Sequence, residues 1–179
     1  MNTYESERPR RRSIRLPGYD YSKAGAYFLT ICAHEKQQLF GKVEDGNTVL
    51  NDAGRIVNSE WLKTGKIRIG IELDDWVVMP NHFHGILVFT DRAETGTARR
   101  APTDRLFGKP VSGSLPTVVR SFKSAVTKRI NQIRQKPGMP VWQRNYWDRV
   151  IRDASELDRL REYIQNNPAH WETDQLFLP

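Results

Sequence analysis

Met79-Pro80-Asn81-His82-Phe83-His84-Gly85-Ile86-Leu87-Val88-Phe89 reads as a turn followed by a β-strand, because Pro80-Asn81 punctuates the chain and the residues beyond are aromatic, β-branched and apolar. Side chains alternate along a strand, so His82 and His84 share one face. Imidazoles paired in this way can hold a divalent metal. They can equally be two polar groups on a solvated strand face.

Residues 67–79 are also strand-like and should pair antiparallel with the histidine strand across that turn. Upstream, residues 27–33 (Tyr-Phe-Leu-Thr-Ile-Cys-Ala) are short, aromatic and β-branched, which predicts a buried strand. Residues 38–50, with Gly41 and Gly46, read as a hairpin or loop. Asn51 can cap a helix from about Ala53 to Lys63, whose Ile56, Val57, Trp61 and Leu62 form a buried stripe and which Gly65 ends. Over residues 117–135, Val119, Phe122, Val126, Ile130 and Ile133 recur at helical spacing, with Arg120, Lys123, Lys128, Arg129 and Arg134 elsewhere around the wheel. Arg149-Val150-Ile151 reads as a strand, and Ser155-Glu156-Leu157-Asp158 as a capping box opening a last helix that stops before Pro168. On that helix Leu157, Leu160 and Ile164 face the core, while Tyr163 and Asn167 lie toward one flank. The order strand, helix, strand, strand, helix, strand matches a ferredoxin-like α+β sandwich with an antiparallel sheet, packed helices and an additional C-terminal helix carrying the tyrosine.

At 179 residues and 38% apolar content the chain suits one domain, residues 1–179, with a basic arm at about 1–18 and an exposed excursion at about 90–116, rich in Thr, Arg, Gly and Pro. The net charge of +7 and pI near 9.7 favour a polyanionic partner, nucleic acid or an acidic surface. Cys32 is the single cysteine, so no internal disulfide can form and a reducing compartment is expected. No run approaches the roughly 18 apolar residues of a membrane span, and residues 1–7 lack the apolar core of a signal peptide. The expectation is a cytoplasmic protein without a membrane partner.

Three motifs in order, Val78-Met79-Pro80-Asn81-His82-Phe83-His84-Gly85, Trp142-Gln143-Arg144-Asn145-Tyr146-Trp147-Asp148 and Tyr163-Ile164-Gln165-Asn166-Asn167-Pro168, resemble the HUH single-tyrosine transposases, and within them the REP-associated tyrosine transposase group. The resemblance runs from about Tyr19 to Asn167. It implies that His82, His84 and Asn167 bind a divalent cation, that Tyr163 is the catalytic nucleophile, and that the substrate is single-stranded DNA with hairpins. It favours a monomer over the trans-acting dimer of the compact insertion-sequence transposases.

The chemistry suits those residue types. A phenol with a pKa near 10 attacks phosphorus poorly unless it is oriented and the phosphate charge is reduced, which a metal ion does as a Lewis acid. Attack would leave a covalent 5′-phosphotyrosine and a free 3′-hydroxyl, and the step needs no ATP. An oxygen-rich sphere completed by His and Asn suits Mg²⁺ or Mn²⁺, although imidazoles also accept Zn²⁺. For DNA binding the sequence offers Arg8, Arg10, Arg11, Arg12 and Arg15 of the arm, Arg120 and Lys123 of the basic helix, and Trp142 and Arg144 of the aromatic segment. Blander readings stand beside these: Tyr163 as an amphipathic core residue, Asn167 as a helix C-cap, and Trp142 or Trp147 as core. Two other functions also fit, a non-catalytic DNA-binding regulator and a hydrolase in which His82 and His84 activate water.

Overall fold

The computed structural model describes residues 19–90 and 113–177. The arm with Arg8, Arg10, Arg11, Arg12 and Arg15, and most of the excursion at 90–116, lie outside the described residues. In chain order the elements are β1 (Gly25–Cys32), β2 (Gly41–Glu44), β3 (Asn47–Leu50), α1 (Asp52–Lys66), β4 (Ile71–Val78), β5 (His82–Phe89), α2 (Leu115–Ile133), β6 (Trp147–Ile151) and α3 (Ala154–Asn166). Short 3-10 turns occupy His34–Lys36 and Pro168–Thr173.

The sheet has the order β4-β5-β1-β6 with every neighbouring pair antiparallel, which is the expected ferredoxin-like α+β arrangement. β2 and β3 form a separate hairpin, closed at Asp45 and Gly46, both with positive φ as a tight two-residue turn requires. One sheet face carries the core: Tyr27, Leu29 and Ile31 from β1 and Phe83, Leu87 and Phe89 from β5 pack against Val57 and Trp61 of α1 and Val119, Phe122 and Val126 of α2. Strand alternation then turns His82 and His84 to the opposite face, where α3 lies. The histidine motif thus serves both layers at once.

Gly85 shows how tightly this strand is held. A Cβ there would stand 2.7 Å from Phe83 Cζ and 2.8 Å from Trp61 Cζ2. Gly85→Ala is expected to destabilise the protein by about 1–3 kcal/mol through overpacking, seen as a thermal midpoint lowered by several degrees. An unchanged midpoint would show that the Trp61 ring yields at no cost.

The structure corrects five sequence expectations, one of them Leu62, which is exposed on α1 rather than part of its buried stripe. α1 continues through Gly65 to Lys66, because the missing Cβ admits Leu73, whose Cγ would otherwise sit 2.9 Å away. Residues 67–70 therefore form the turn after the helix, with Ile67 and Ile69 exposed, and the strand begins only at Ile71. α3 is capped by Asp153 rather than Ser155: Asp153 Oδ1 accepts from the Glu156 N–H at 2.8 Å, and Glu156 Oε2 accepts from the Arg152 N–H at 2.9 Å. Ile133 is exposed, and the buried position in that turn of α2 goes to Asn131, whose Nδ2 donates to the Met139 carbonyl.

Candidate metal and tyrosine site

His82 and His84 stand side by side on β5, ring centroids 4.5 Å apart. Each is held through Nδ1. His82 Nδ1–H donates to Asn81 Oδ1 at 2.7 Å, since a carbonyl oxygen can only accept, and this leaves Nε2 bare. Asn81 is itself fixed by donating from Nδ2 to the Leu176 carbonyl at 2.7 Å. His84 Nδ1 lies 2.9 Å from Thr30 Oγ1, its cross-strand neighbour, and Phe28 stacks on the ring. Partners of this kind set the tautomer and aim of a metal-binding imidazole.

Tyr163 reaches the pair from α3. A bulge in β4 after Leu73 turns Asp74 and Asp75 toward the helix, where Arg161 grips Asp74 through two nitrogens, at 2.9 and 2.7 Å, and Gln165 Nε2 donates to Asp75 Oδ2 at 2.7 Å. Ile164 is buried beneath. Tyr163 is 43% exposed, the rim position expected from helical spacing, and its hydroxyl lies 3.3 Å from His84 Nε2.

A carboxylate that sequence reasoning missed completes the site. The 3-10 turn over Pro168–Thr173 brings Asp174 back so that its ligand atom and those of His82 and His84 lie within 4.8 Å of one another. Asn167 Nδ2 donates to Asp174 Oδ2 at 2.8 Å. Two polar atoms here, His82 Nε2 and Asn167 Oδ1, are buried without a hydrogen-bond partner. Such atoms are costly unless something satisfies them, and two imidazoles, a carboxylate and an amide oxygen form a donor set that a divalent ion fits.

The site is electrostatically poised. Burial pushes the His82 imidazole down to about 4, against the opposing pull of the Asp174 carboxylate and the Asn167 amide. Burial and the neighbouring His82 hold His84 well below the ordinary histidine value. Both rings are thus neutral, as ligands must be. Burial, then Asp174, raises the Tyr163 phenol above its ordinary value, with Asn167 opposing. In the unfolded chain the two histidines would titrate near 6.5, so lowering the pH from there toward 4 protonates the unfolded state first. The metal-free protein should therefore be fully stable above pH 6.5 and lose about 3 kcal/mol from His82 alone on the way to pH 4. Thermal unfolding in EDTA at stepped pH measures this, and a slope no steeper than that of His82→Gln would contradict it.

A cleft of ≈ 980 Å³ opens over the site, lined among others by Thr30, His84, Trp147, Arg159, Tyr163, Asn167 and Asp174. No family model matches the chain. An uncharacterized protein of Haemophilus influenzae is 37% identical over 170 residues, 94% of this chain and 93% of that protein. A second protein of the same organism, provisionally named a REP-associated tyrosine transposase, is 25% identical over 151 residues, 84% of this chain and 73% of that protein. A solved REP-associated tyrosine transposase bound to a REP hairpin has the same fold, with a TM-score of 0.57 at 19% identity over 86% of this chain and 72% of that one. The chain thus resembles REP-associated tyrosine transposases in sequence and shares their fold.

The sequence-selected residues divide clearly. His82, His84, Tyr163 and Asn167 converge on one site although up to 85 residues separate them in the chain. Two of the residues chosen for DNA contact also hold the fold together. Lys123 is half-buried and its ammonium donates to the carbonyls of Gln143, Arg144 and Asn145 at 2.7, 3.2 and 3.4 Å; burial lowers its pKa to about 8. Trp142 is buried between Phe40 and Phe122, its ring faces taken by the core. Arg120 and Arg144 are exposed and border a separate groove against α2. Among the described residues no helix is long and apolar enough to cross a membrane.

Asn167→Ala removes the tether on Asp174 together with one candidate ligand oxygen, and water can replace a neutral ligand. Activity is expected to fall about 10- to 100-fold and to recover in part with excess Mn²⁺. Loss of folding without such recovery would reduce Asn167 to a helix cap.

Proposed function

We propose that this protein cleaves single-stranded DNA beside hairpins and rejoins it through a covalent 5′-phosphotyrosine on Tyr163. The observation that carries the reading is the Tyr163 hydroxyl held 3.3 Å from His84 Nε2, at the edge of the His82–His84–Asp174 cluster, where His82 Nε2 and the neighbouring Asn167 Oδ1 are buried without a hydrogen-bond partner. His82, His84, Asp174 and Asn167 would hold a divalent ion, Mg²⁺ or Mn²⁺, whose chemistry is to reduce the charge of the scissile phosphate and favour the phenolate.

The chain's own residues do the rest. α3, clamped to β4 through Arg161 and Gln165, presents Tyr163 rigidly to the phosphate. A bond forms between Tyr163 Oη and phosphorus as the bond from phosphorus to the 3′ oxygen breaks; the phenol loses its proton to solvent and the departing 3′ oxygen gains one. The ester energy stays in the tyrosine link, so an incoming 3′-hydroxyl reverses the step without ATP. The basic balance of the chain supports a DNA substrate, and the relative solved on a REP hairpin supports a hairpin-bearing one.

Incubating the protein with labelled hairpin DNA and Mn²⁺, then resolving it on a denaturing gel, tests the reading. A shifted covalent protein–DNA band is expected. Free cleaved strand without such a band would favour a hydrolase in which His82 and His84 activate water, and intact DNA that only binds would favour a regulator.

A further inference from the structure

The row of residues that crosses the sheet at His84 continues in register through Thr30 on β1 to Trp147 on β6. Directly opposed residues on antiparallel neighbours share a face, so Trp147 stands on the face that carries His84, two strand spacings or about 10 Å along the sheet. Its indole lines the same cleft as Tyr163, is 57% exposed, and meets no other ring among the described residues. The other four tryptophans are all engaged: Trp61 packs on Phe83, Trp142 on Phe40 and Trp171 on Phe177, while Trp76 Nε1 donates to Asn58 Oδ1. Arg159 also lines the cleft, one helical turn before Tyr163 and therefore on the same side of α3, and forms no ion pair with a described carboxylate.

An open indole and a guanidinium whose Nε reaches only the Ser155 carbonyl, at 3.3 Å, flank a phosphate-transfer centre and match the two parts of a nucleotide, a π face and an anionic backbone. We propose that Trp147 is the stacking platform for the unpaired base next to the phosphate attacked by Tyr163, and that Arg159 contacts the adjoining phosphate. A base inside a duplex already has both faces stacked and cannot use the platform, so this pair selects single-stranded DNA at the point of cleavage. The inference rests on the strand-transfer reading above and names the residues that recognise its substrate.

Binding is measured in the Tyr163→Phe background, where no cleavage intervenes, with 2-aminopurine at successive positions in the single-stranded flank of a hairpin oligonucleotide. One position is expected to be quenched on binding. Trp147→Ala should abolish that quenching and weaken binding about tenfold; Trp147→Phe, which keeps a flat ring, should restore most of both. Trp147→Leu keeps apolar bulk on the strand but no π face and should not restore them. Arg159→Gln should weaken binding and lower the salt dependence by about one phosphate contact. Quenching and affinity unchanged in Trp147→Leu would overturn the proposal. Failure of the wild-type protein to form a covalent adduct would instead sink the transfer chemistry, and the binding data would still decide the role of Trp147.

Discussion

Tyr163→Phe is expected to abolish covalent adduct and cleaved strand while leaving folding, metal binding and hairpin binding nearly intact. The substitution deletes one oxygen at a half-exposed rim position and keeps the ring that packs edge-on against Phe28 and His84. The hydrogen bond lost to His84 Nε2 is long, 3.3 Å, so its removal should cost no more than about 1 kcal/mol of stability. Chemistry is affected far more, because a phenyl ring has no atom that can bond to phosphorus. Single-turnover cleavage should fall below detection. Cleavage persisting at the wild-type rate would remove Tyr163 from the reaction and leave the histidines as a water-activating pair.

Removing either histidine should be almost as damaging to turnover, by another route. His82→Ala and His84→Ala each delete a donor from the cluster, and a metal's charge stabilisation is worth several kcal/mol in the transition state, so cleavage should drop about 1,000-fold or more. Hairpin binding should change little, since it draws on many phosphate contacts. Both rings are buried, so Ala also leaves a cavity, and a stability loss of about 1–3 kcal/mol is expected, larger for His84 because Phe28 stacks on it. EDTA added to the wild-type protein should reproduce the loss of cleavage without the stability cost of the cavity. Full activity in EDTA would contradict the metal assignment.

The sequence carried the layers and most of the site because both depend on periodicities that local residues express. Alternation in β5 separates the histidines from Phe83, and spacing of four on α3 sets Asn167 one turn beyond Tyr163. Asp174 was not legible: its place depends on a 3-10 turn after Pro168 and on hydrogen bonds to Asn167 and Leu176, none of which has a sequence period. The structural contacts of Lys123 and Trp142 were not legible for a related reason. A lysine on a basic helix looks solvated until three carbonyls are found around its ammonium, and an aromatic in a motif looks available until its faces are seen to be occupied. Gly65 looked like a helix end, yet its role is to admit Leu73, a contact made across the turn to β4.

The central claim is that Tyr163 takes the 5′ phosphate of the broken strand. Hairpin DNA labelled at its 3′ end in one sample and its 5′ end in another, incubated with protein and Mn²⁺ and resolved under denaturing conditions, measures this directly. The account predicts that only the 3′ label migrates with the protein, and that the peptide carrying the nucleotide contains Tyr163. A 5′ label on the protein, or cleaved DNA with neither label attached, would contradict it.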